Sequence, residues 1–546
     1  MCQAFQVTSS PAINELSKKE FAPPCTVKYA VSSFNYVGAV RAEATTTDMP
    51  PAVIPEASAL FQRATKSLAR GQKLEAAQYL FQAVKIQPAY FDALYNLGLV
   101  LQELEKIPEA ISCYEQALRI NPGFAPAWNN LGVAHHAAGR SAQAVDCHRR
   151  AIGLQPGDSS YYNNLANALR GMNRLTEAIG EIQTALRFDP ASSLLRHSLG
   201  NVYREVGRID ESVAVFEDLL REEPLRAEAH YDQAFALLLG GNMIRGWEEY
   251  DWRWRQKDHA PPREFSQPAW QGEDVRGLRL FVYAEQGAGD NIQFGRYLPE
   301  LARLGAHVFL ECPRSLAKLF KTIQGLEQVI VKGEAIPAFD RACALMSLAR
   351  WFKTTINTIP ASVPYLRIQG KTPDLPRVAE APPDGLKIGL AWAGNPAHKN
   401  DRHRSIPFET LRPLLGRAGA TFYSLQVRDD PTSRLHPPET RLTDLSPLIS
   451  DYSDTAALLC QLDLVISVDT SVAHLAGALG RPVWVLLPYA PDWRWLLGRA
   501  DCPWYPTMRL FRQPQPGDWE TVVRQVAGEL AEFSGTSRNP ALTSTD

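Results

Sequence analysis

The chain has 546 residues, beyond the size at which a single hydrophobic core stops growing, so two or three structural units are expected. Hydrophobic residues make up 45% and charged residues 21%, and a formal net charge of -2 excludes a global attraction to nucleic acid or to anionic membrane. No run approaches the roughly eighteen apolar residues of a membrane span, and Met1-Cys2-Gln3-Ala4-Phe5 lacks a basic segment leading into an apolar one, so a cytoplasmic protein with no membrane span is expected. The 8 cysteines are scattered without a C-x-x-C pair, which argues against a disulfide framework or a zinc site and for buried thiols.

Residues 1–56 contain Thr45-Thr46-Thr47 and Met49-Pro50-Pro51, show no sustained period, and are expected to form a poorly ordered leader. From Ala57 a 34-residue step runs to residue 256 without insertion. Its eighth column reads Ala64, Gly98, Gly132, Ala166, Gly200, Ala234, and its twentieth Ala76, Ala110, Ala144, Ala178, Ser212, Gly246. Small side chains in both columns suit the closest approach of two antiparallel helices. The twenty-seventh column, Ala83, Ala117, Ala151, Ala185, drifts to Leu219 and Arg253, while Pro88, Pro122, Pro156, Pro190 and Pro224 end the second helices. The pattern resembles the tetratricopeptide repeat family, with five good repeats and a degenerate sixth rich in tryptophan (Trp247, Trp252, Trp254). An atypical last repeat suits a unit packed on something other than another repeat, here the domain that follows. The sixth column carries Asn96, Asn130 and Asn164. Similarity to the repeats of O-linked N-acetylglucosamine transferase implies that these amides hold a polypeptide backbone; the alternative is that they bridge neighbouring repeats.

Residues 257–275, with Ala260-Pro261-Pro262-Arg263 and Gln267-Pro268-Ala269-Trp270, read as a linker along a surface. Beyond it the period changes. Leu278–Ala284 reads as a buried strand, followed by Glu285-Gln286-Gly287-Ala288-Gly289-Asp290 and an amphipathic helix through about Leu304. His307–Glu311 and Gln328–Val331 read as further strands, and a second α/β unit opens at Leu386 after the break Ala381-Pro382-Pro383-Asp384-Gly385. Strands alternating with helices predict parallel sheets in two lobes, 276–380 and 381–533, before a flexible tail at 534–546. Ligands of such folds sit at the carboxyl ends of the strands.

Asp463–Leu487 reads as strand, turn, helix, turn, strand, with Asp469-Thr470-Ser471 at the helix N-terminus, where free N–H groups favour a phosphate; the bland alternative makes Asp469 a helix cap. Together with His474 and the following Ala-Gly-Ala-Leu-Gly, the stretch resembles the signature of bacterial lipopolysaccharide heptosyltransferases. That resemblance implies an α superhelix of tetratricopeptide repeats joined to an α/β two-lobed GT-B-like glycosyltransferase domain, with a nucleotide-sugar as donor substrate and no further cofactor. By the same resemblance Asp469, Thr470, Ser471 and His474 contact the donor, Asp290 of the Gly289-Asp290 dipeptide is the base, and Arg404, in Arg404-Ser405-Ile406-Pro407, neutralises the leaving phosphate. A general base and a cationic, N–H-rich leaving-group site are what transfer to a hydroxyl requires. No two aspartates stand two positions apart, so no metal is expected. His398–His403 reads as a basic phosphate-facing loop, while Tyr489–Trp495 and Pro503–Pro506 place aromatics to stack on a ligand or to wedge elements together. Ser471 stands where relatives often have Gly, and the first lobe is short, so the acceptor side departs from the family pattern. The expected function is transfer of a sugar to an acceptor held by the repeats, a protein in the first instance. A non-catalytic scaffold with a degenerate transferase domain, and a transferase acting on lipopolysaccharide or another glycan, are the alternatives.

Overall fold

A computed structural model describes residues 53–256, 261–370, 374–376, 385–396, 398, 400–416, 418–427 and 442–533. The chain divides into two compact units between Val202 and Tyr203. The expected leader and tail lie almost wholly outside the described residues, with the first helix beginning at Pro55.

The first unit contains the helical hairpins α1/α2 (Pro55–Ala69, Lys73–Ile86), α3/α4 (Phe91–Glu103, Ile107–Ile120), α5/α6 (Ala125–Ala137, Ser141–Leu154) and α7/α8 (Ser159–Gly171, Leu175–Leu186), and α9 (Ser193–Glu205) spans the division. The small columns do what their size predicts: Ala76, Ala110, Ala144 and Ala178, like Ala83, Ala117, Ala151 and Ala185, are all 0% exposed. A Cβ added to Gly98 would stand 2.6 Å from the Tyr114 ring, and one added to Gly132 would stand 2.6 Å from the His148 ring. The inter-helix turn places a left-handed residue at the same column of every repeat: Gly71, Glu105, Gly139, Asn173, Gly207 and Gly241 all have φ between 58° and 85°.

The second unit begins with the last two hairpins' helices α10 (Ile209–Glu222), α11 (Ala227–Leu239) and α12 (Met243–Tyr250), closed by a 3-10 turn at Asp251–Arg255. It continues into β1 (Arg279–Tyr283), α13 (Ala288–Phe294), α14 (Tyr297–Arg303), β2 (His307–Cys312), α15 (Arg314–Phe320), β3 (Leu326–Val331), β4 (Arg341–Ala344) and α16 (Leu348–Trp351). The helix expected to run through Leu304 is two helices broken at Gly295-Arg296, because the Arg296 guanidinium turns inward to the carbonyls of Gln293 and Trp504. The second lobe holds β5 (Leu386–Ala391), α17 (Asp401–Arg404), α18 (Phe408–Leu415), β6 (Ala420–Ser424), β7 (Leu442–Asp444), α19 (Tyr452–Leu459), β8 (Leu464–Val468), α20 (Ser471–Ala478), β9 (Val483–Leu487), β10 (Met508–Arg512) and α21 (Trp519–Glu532).

The two sheets run in the orders β3-β2-β1-β4 and β10-β9-β8-β5-β6-β7, and the strand pairs within each are parallel. The second order is that of a doubly wound sheet, reversing direction between β5 and β8; the first reverses between β1 and β4. The expected surface linker is partly structural. Trp270 donates its N–H to the Ala342 carbonyl at 2.8 Å, so Pro268–Trp270 covers the open edge of β4, and Trp270 and Val275 are buried.

The sixth repeat is built into this unit. Trp247, 2% exposed, meets the Trp493 ring edge-on at 5.2 Å and donates its indole N–H to the Thr354 carbonyl at 3.0 Å. Arg253, in a column filled by alanine in earlier repeats, is 1% exposed. It reaches Glu285 Oε1 at 2.9 Å and Ser347 Oγ at 2.7 Å, at the carboxyl ends of β1 and β4. The reversal point of the first sheet is therefore filled by the chain's own guanidinium.

Candidate functional site

At the reversal point of the second sheet, β5 and β8 end side by side. The chain leaving β5 is fixed by Gln426, whose Oε1 accepts the N–H groups of Trp392 and Ala393 and whose Nε2 donates to the Ala393 carbonyl. Arg404 closes over it, donating from Nη1 to the Asp469 carbonyl at 3.1 Å and from Nε to Asp401 Oδ1 at 3.2 Å. A Cβ at Gly394 would come within 2.5 Å of both Arg404 Nη2 and Asp401 Oδ1, so any larger residue there would displace the Arg404–Asp401 pair.

After β8, the N-cap of α20 is Thr470, whose side chain makes no cap bond, so the Asp469 carboxylate stands ahead of the helix and does not cap it. Thr470 Oγ1 lies 3.1 Å from Ser467 Oγ, and Ser471 Oγ accepts from the Tyr452 hydroxyl at 3.0 Å. Loss of water pushes the Asp469 carboxyl up to about 6; Asp492 adds to the rise, while the Trp495 indole, Arg404 and Arg494 oppose it. His474 is 4% exposed, with Nδ1 3.2 Å from the Tyr505 hydroxyl, Nε2 4.0 Å from Asp469 Oδ1, and its ring stacked on Trp495 at 5.2 Å. Burial, then the charges of Arg494, Arg296 and Arg404, hold its pKa well below the usual histidine value. It is therefore a neutral hydrogen-bonding group at neutral pH.

From the first lobe comes the turn after β1. Asp290 Oδ2 accepts the Gly287 N–H at 2.9 Å, fixing the start of α13, and Oδ1 forms an ion pair with Arg494 Nη2. Gly289 lets this turn meet α20: an added Cβ would stand 3.2 Å from His474 Cδ2 and 3.4 Å from Ser471 Cα. The geometry thus brings Asp290, Arg404, Asp469, Ser471 and His474 to one place, although they come from both lobes.

Arg494 was not legible as part of this group. It sits in the 3-10 turn Trp493–Trp495 beyond β9, capped by Asp492, whose Oδ1 accepts both the Arg494 backbone N–H at 3.0 Å and its Nη1 at 2.8 Å. Nε donates to Gln293 Oε1 at 2.7 Å. The only signal was the alternation Asp492-Trp493-Arg494-Trp495, which reads as an aromatic loop. Those aromatics pack the unit: Trp493, Trp495, Trp504 and Tyr505 are at most 1% exposed, which favours wedging over ligand stacking. His398 is exposed, yet near enough to Arg404, Asp492, Asp401 and Asp290 to feel their charges; Lys399 lies outside the described residues. Cys113, Cys147, Cys312, Cys343 and Cys502 are buried thiols, and Cys460 is partly so.

In the repeats, the sixth-column amides follow the bridging alternative. Asn130 Nδ2 donates to Tyr95 Oη at 3.0 Å, Asn164 Nδ2 donates to Asn129 Oδ1 at 3.0 Å, and Ser198 Oγ bonds Asn163 Oδ1, each to the fifth column of the preceding repeat. Asn96 instead donates to the Asp92 carbonyl within its own helix at 2.8 Å.

Tetratricopeptide repeat models match residues 91–124, 113–146, 137–193 and 197–243, and the N-terminal region is a tetratricopeptide array. Protein FlbA of Caulobacter vibrioides is 30% identical over 341 residues, 57% of this chain and 56% of FlbA, so the chain spans little more than half of that relative. Solved structures similar to the chain include MamA from Desulfovibrio magneticus, 21% identical, covering 32% of this chain and 99% of that one with a TM-score of 0.30. A tetratricopeptide protein from Parabacteroides merdae is 18% identical, with 36% and 77% covered and a TM-score of 0.34. Among the described residues, no helix is long and apolar enough to cross a membrane.

Proposed function

We propose that the α/β region is a GT-B-like, metal-independent glycosyltransferase that moves a sugar from a nucleotide-sugar to an acceptor hydroxyl, with the repeats recruiting the acceptor, a protein in the first instance. The observation that carries this reading is the convergence of Asp290, Arg404, Asp469, Ser471 and His474 at the carboxyl ends of parallel strands. In the reaction the acceptor oxygen bonds to the sugar's anomeric carbon, Asp290 takes the hydroxyl proton, and the bond to the phosphate oxygen breaks with its electron pair leaving on the nucleoside diphosphate. Arg404 and the α20 N–H groups stabilise that departing charge, and neutral His474 donates or accepts one hydrogen bond beside it.

The array's part is protein binding, the ordinary use of such superhelices. Asn130 and Asn164 each spend one of two amide N–H groups on the preceding repeat, so an acceptor backbone meets the remaining N–H or neighbouring columns. A second reading, a scaffold whose transferase site is inert, draws on one observation: both oxygens of Asp290 are occupied.

The two readings separate by experiment. The full chain is screened for stabilisation by nucleoside diphosphates and nucleotide-sugars, and Asp290→Asn and His474→Ala are followed for sugar transfer or donor hydrolysis. Stabilisation by one nucleotide class, with a loss of about 100-fold or more in turnover for Asp290→Asn, is the expected outcome. Absence of both effects overturns the transferase reading.

A further inference from the structure

We infer that Arg494 is a positioning residue that latches the site, holding Asp290 until an anionic diphosphate draws the guanidinium away. The inference rests on the donor-site reading above and adds to it a device that makes the base available only when the donor is bound.

Three observations carry it. Arg494 issues from the second lobe beyond β9, yet its Nε and Nη2 are bonded to Gln293 and Asp290 on α13 of the first lobe, so one side chain ties the two lobes together at the site. Its side chain is only 10% exposed and lies over the Trp493 ring, 4.2 Å from the centroid, so the indole face backs the guanidinium. The bonds to Gln293, Asp492 and Asp290 account for three of its five N–H groups, so an entering phosphate first meets a second Nη hydrogen and then competes for the one that Asp290 holds. The Asp290 Oδ1 that Arg494 holds is turned toward the guanidinium and is not presented to an acceptor hydroxyl. A diphosphate offers the same fork a stronger, doubly charged acceptor. Transfer of Nη2 from Asp290 to phosphate frees Oδ1 for the acceptor hydroxyl, while Asp492 keeps the arginine from leaving.

The prediction is opposite in sign to that of a simple structural ion pair. Affinity of the full-length chain is measured by calorimetry for inorganic pyrophosphate and for UDP, GDP, ADP and dTDP. Asp290→Asn is expected to bind the preferred diphosphate about tenfold more tightly than wild type, since the amide oxygen left in its place competes for the guanidinium without a negative charge. Arg494→Gln is expected to weaken binding by a similar factor, and the double variant to match Arg494→Gln. Asp290→Ser, which retains a hydroxyl to cap α13, serves as a second variant, and circular dichroism melts establish that each is folded. Binding by wild type that is unchanged or weakened in both folded Asp290 variants overturns the latch and leaves the donor site standing. No binding of any of these ligands to any variant overturns the donor site and the latch with it.

Discussion

Asp469 shows how burying one carboxylate makes the stability of the fold depend on pH. Its carboxyl is pushed up to about 6 from 3.8, chiefly by burial and then by Asp492. A native state that prefers the protonated acid loses stability as pH rises through this interval, and the loss is complete above it. Asp469→Asn is therefore expected to melt at a higher temperature than wild type above about pH 6, with the difference closing below about pH 4. Melts of the full chain across pH 4–8 check this; an advantage that grows toward low pH would contradict it. The position of Asp469 before a helix was legible in the local pattern, because strand, turn and helix are near-neighbour features. Its raised pKa was not, since the burial depends on tertiary packing and the Asp492 charge reaches it from a different loop. The same holds for His474: the motif identifies the residue, but neutrality follows from burial and from three arginines distant in sequence.

At the scale of the element, the 34-residue step encodes backbone as well as packing. Its turn column has a positive φ in every repeat, filled by glycine at Gly71, Gly139, Gly207 and Gly241, but by Glu105 at φ 59° and Asn173 at φ 58°. Asparagine tolerates this conformation, whereas glutamate carries a Cβ penalty of roughly 1 kcal/mol. Glu105→Gly is expected to stabilise the protein by about 0.5–1 kcal/mol in urea unfolding, the relief of strain outweighing glycine's larger chain entropy; a loss of stability would count against it. Asparagine at the sixth column is ambiguous in sequence, because a ladder that binds peptide and one that bridges repeats have the same period. Only the pairing partner distinguishes them, and Tyr95 and Asn129 are 35 residues away from their donors. The helix expected to reach Leu304 breaks for a similar reason: Arg296 reads as a polar helical residue until Gln293 and Trp504 present their carbonyls to it.

For the whole molecule, the compact division falls at Val202/Tyr203, within the repeats, whereas the sequence places the change of fold near residue 256. The α/β region uses the last repeat as its own core: Trp247 packs on Phe294, Trp493 and Trp504, and Arg253 satisfies the buried carboxylate of Glu285. A fragment comprising 207–533 is thus expected to unfold cooperatively. One comprising 261–533 is expected to be aggregated or molten, because losing Trp247 alone costs about 3–5 kcal/mol and its apolar partners Phe294, Trp493 and Trp504 are uncovered. Circular dichroism and size-exclusion chromatography of the two fragments decide this; equal melting behaviour would show the repeat to be dispensable. The sequence by itself determined the repeat register, the small-residue contacts and the parallel strands, because each is set by residues within one or two turns or by a strict period. Tertiary structure decided what Arg253, Arg296 and Arg494 do. A guanidinium has no structural meaning until its acceptors arrive, and here they come from loops as far as 208 residues along the chain.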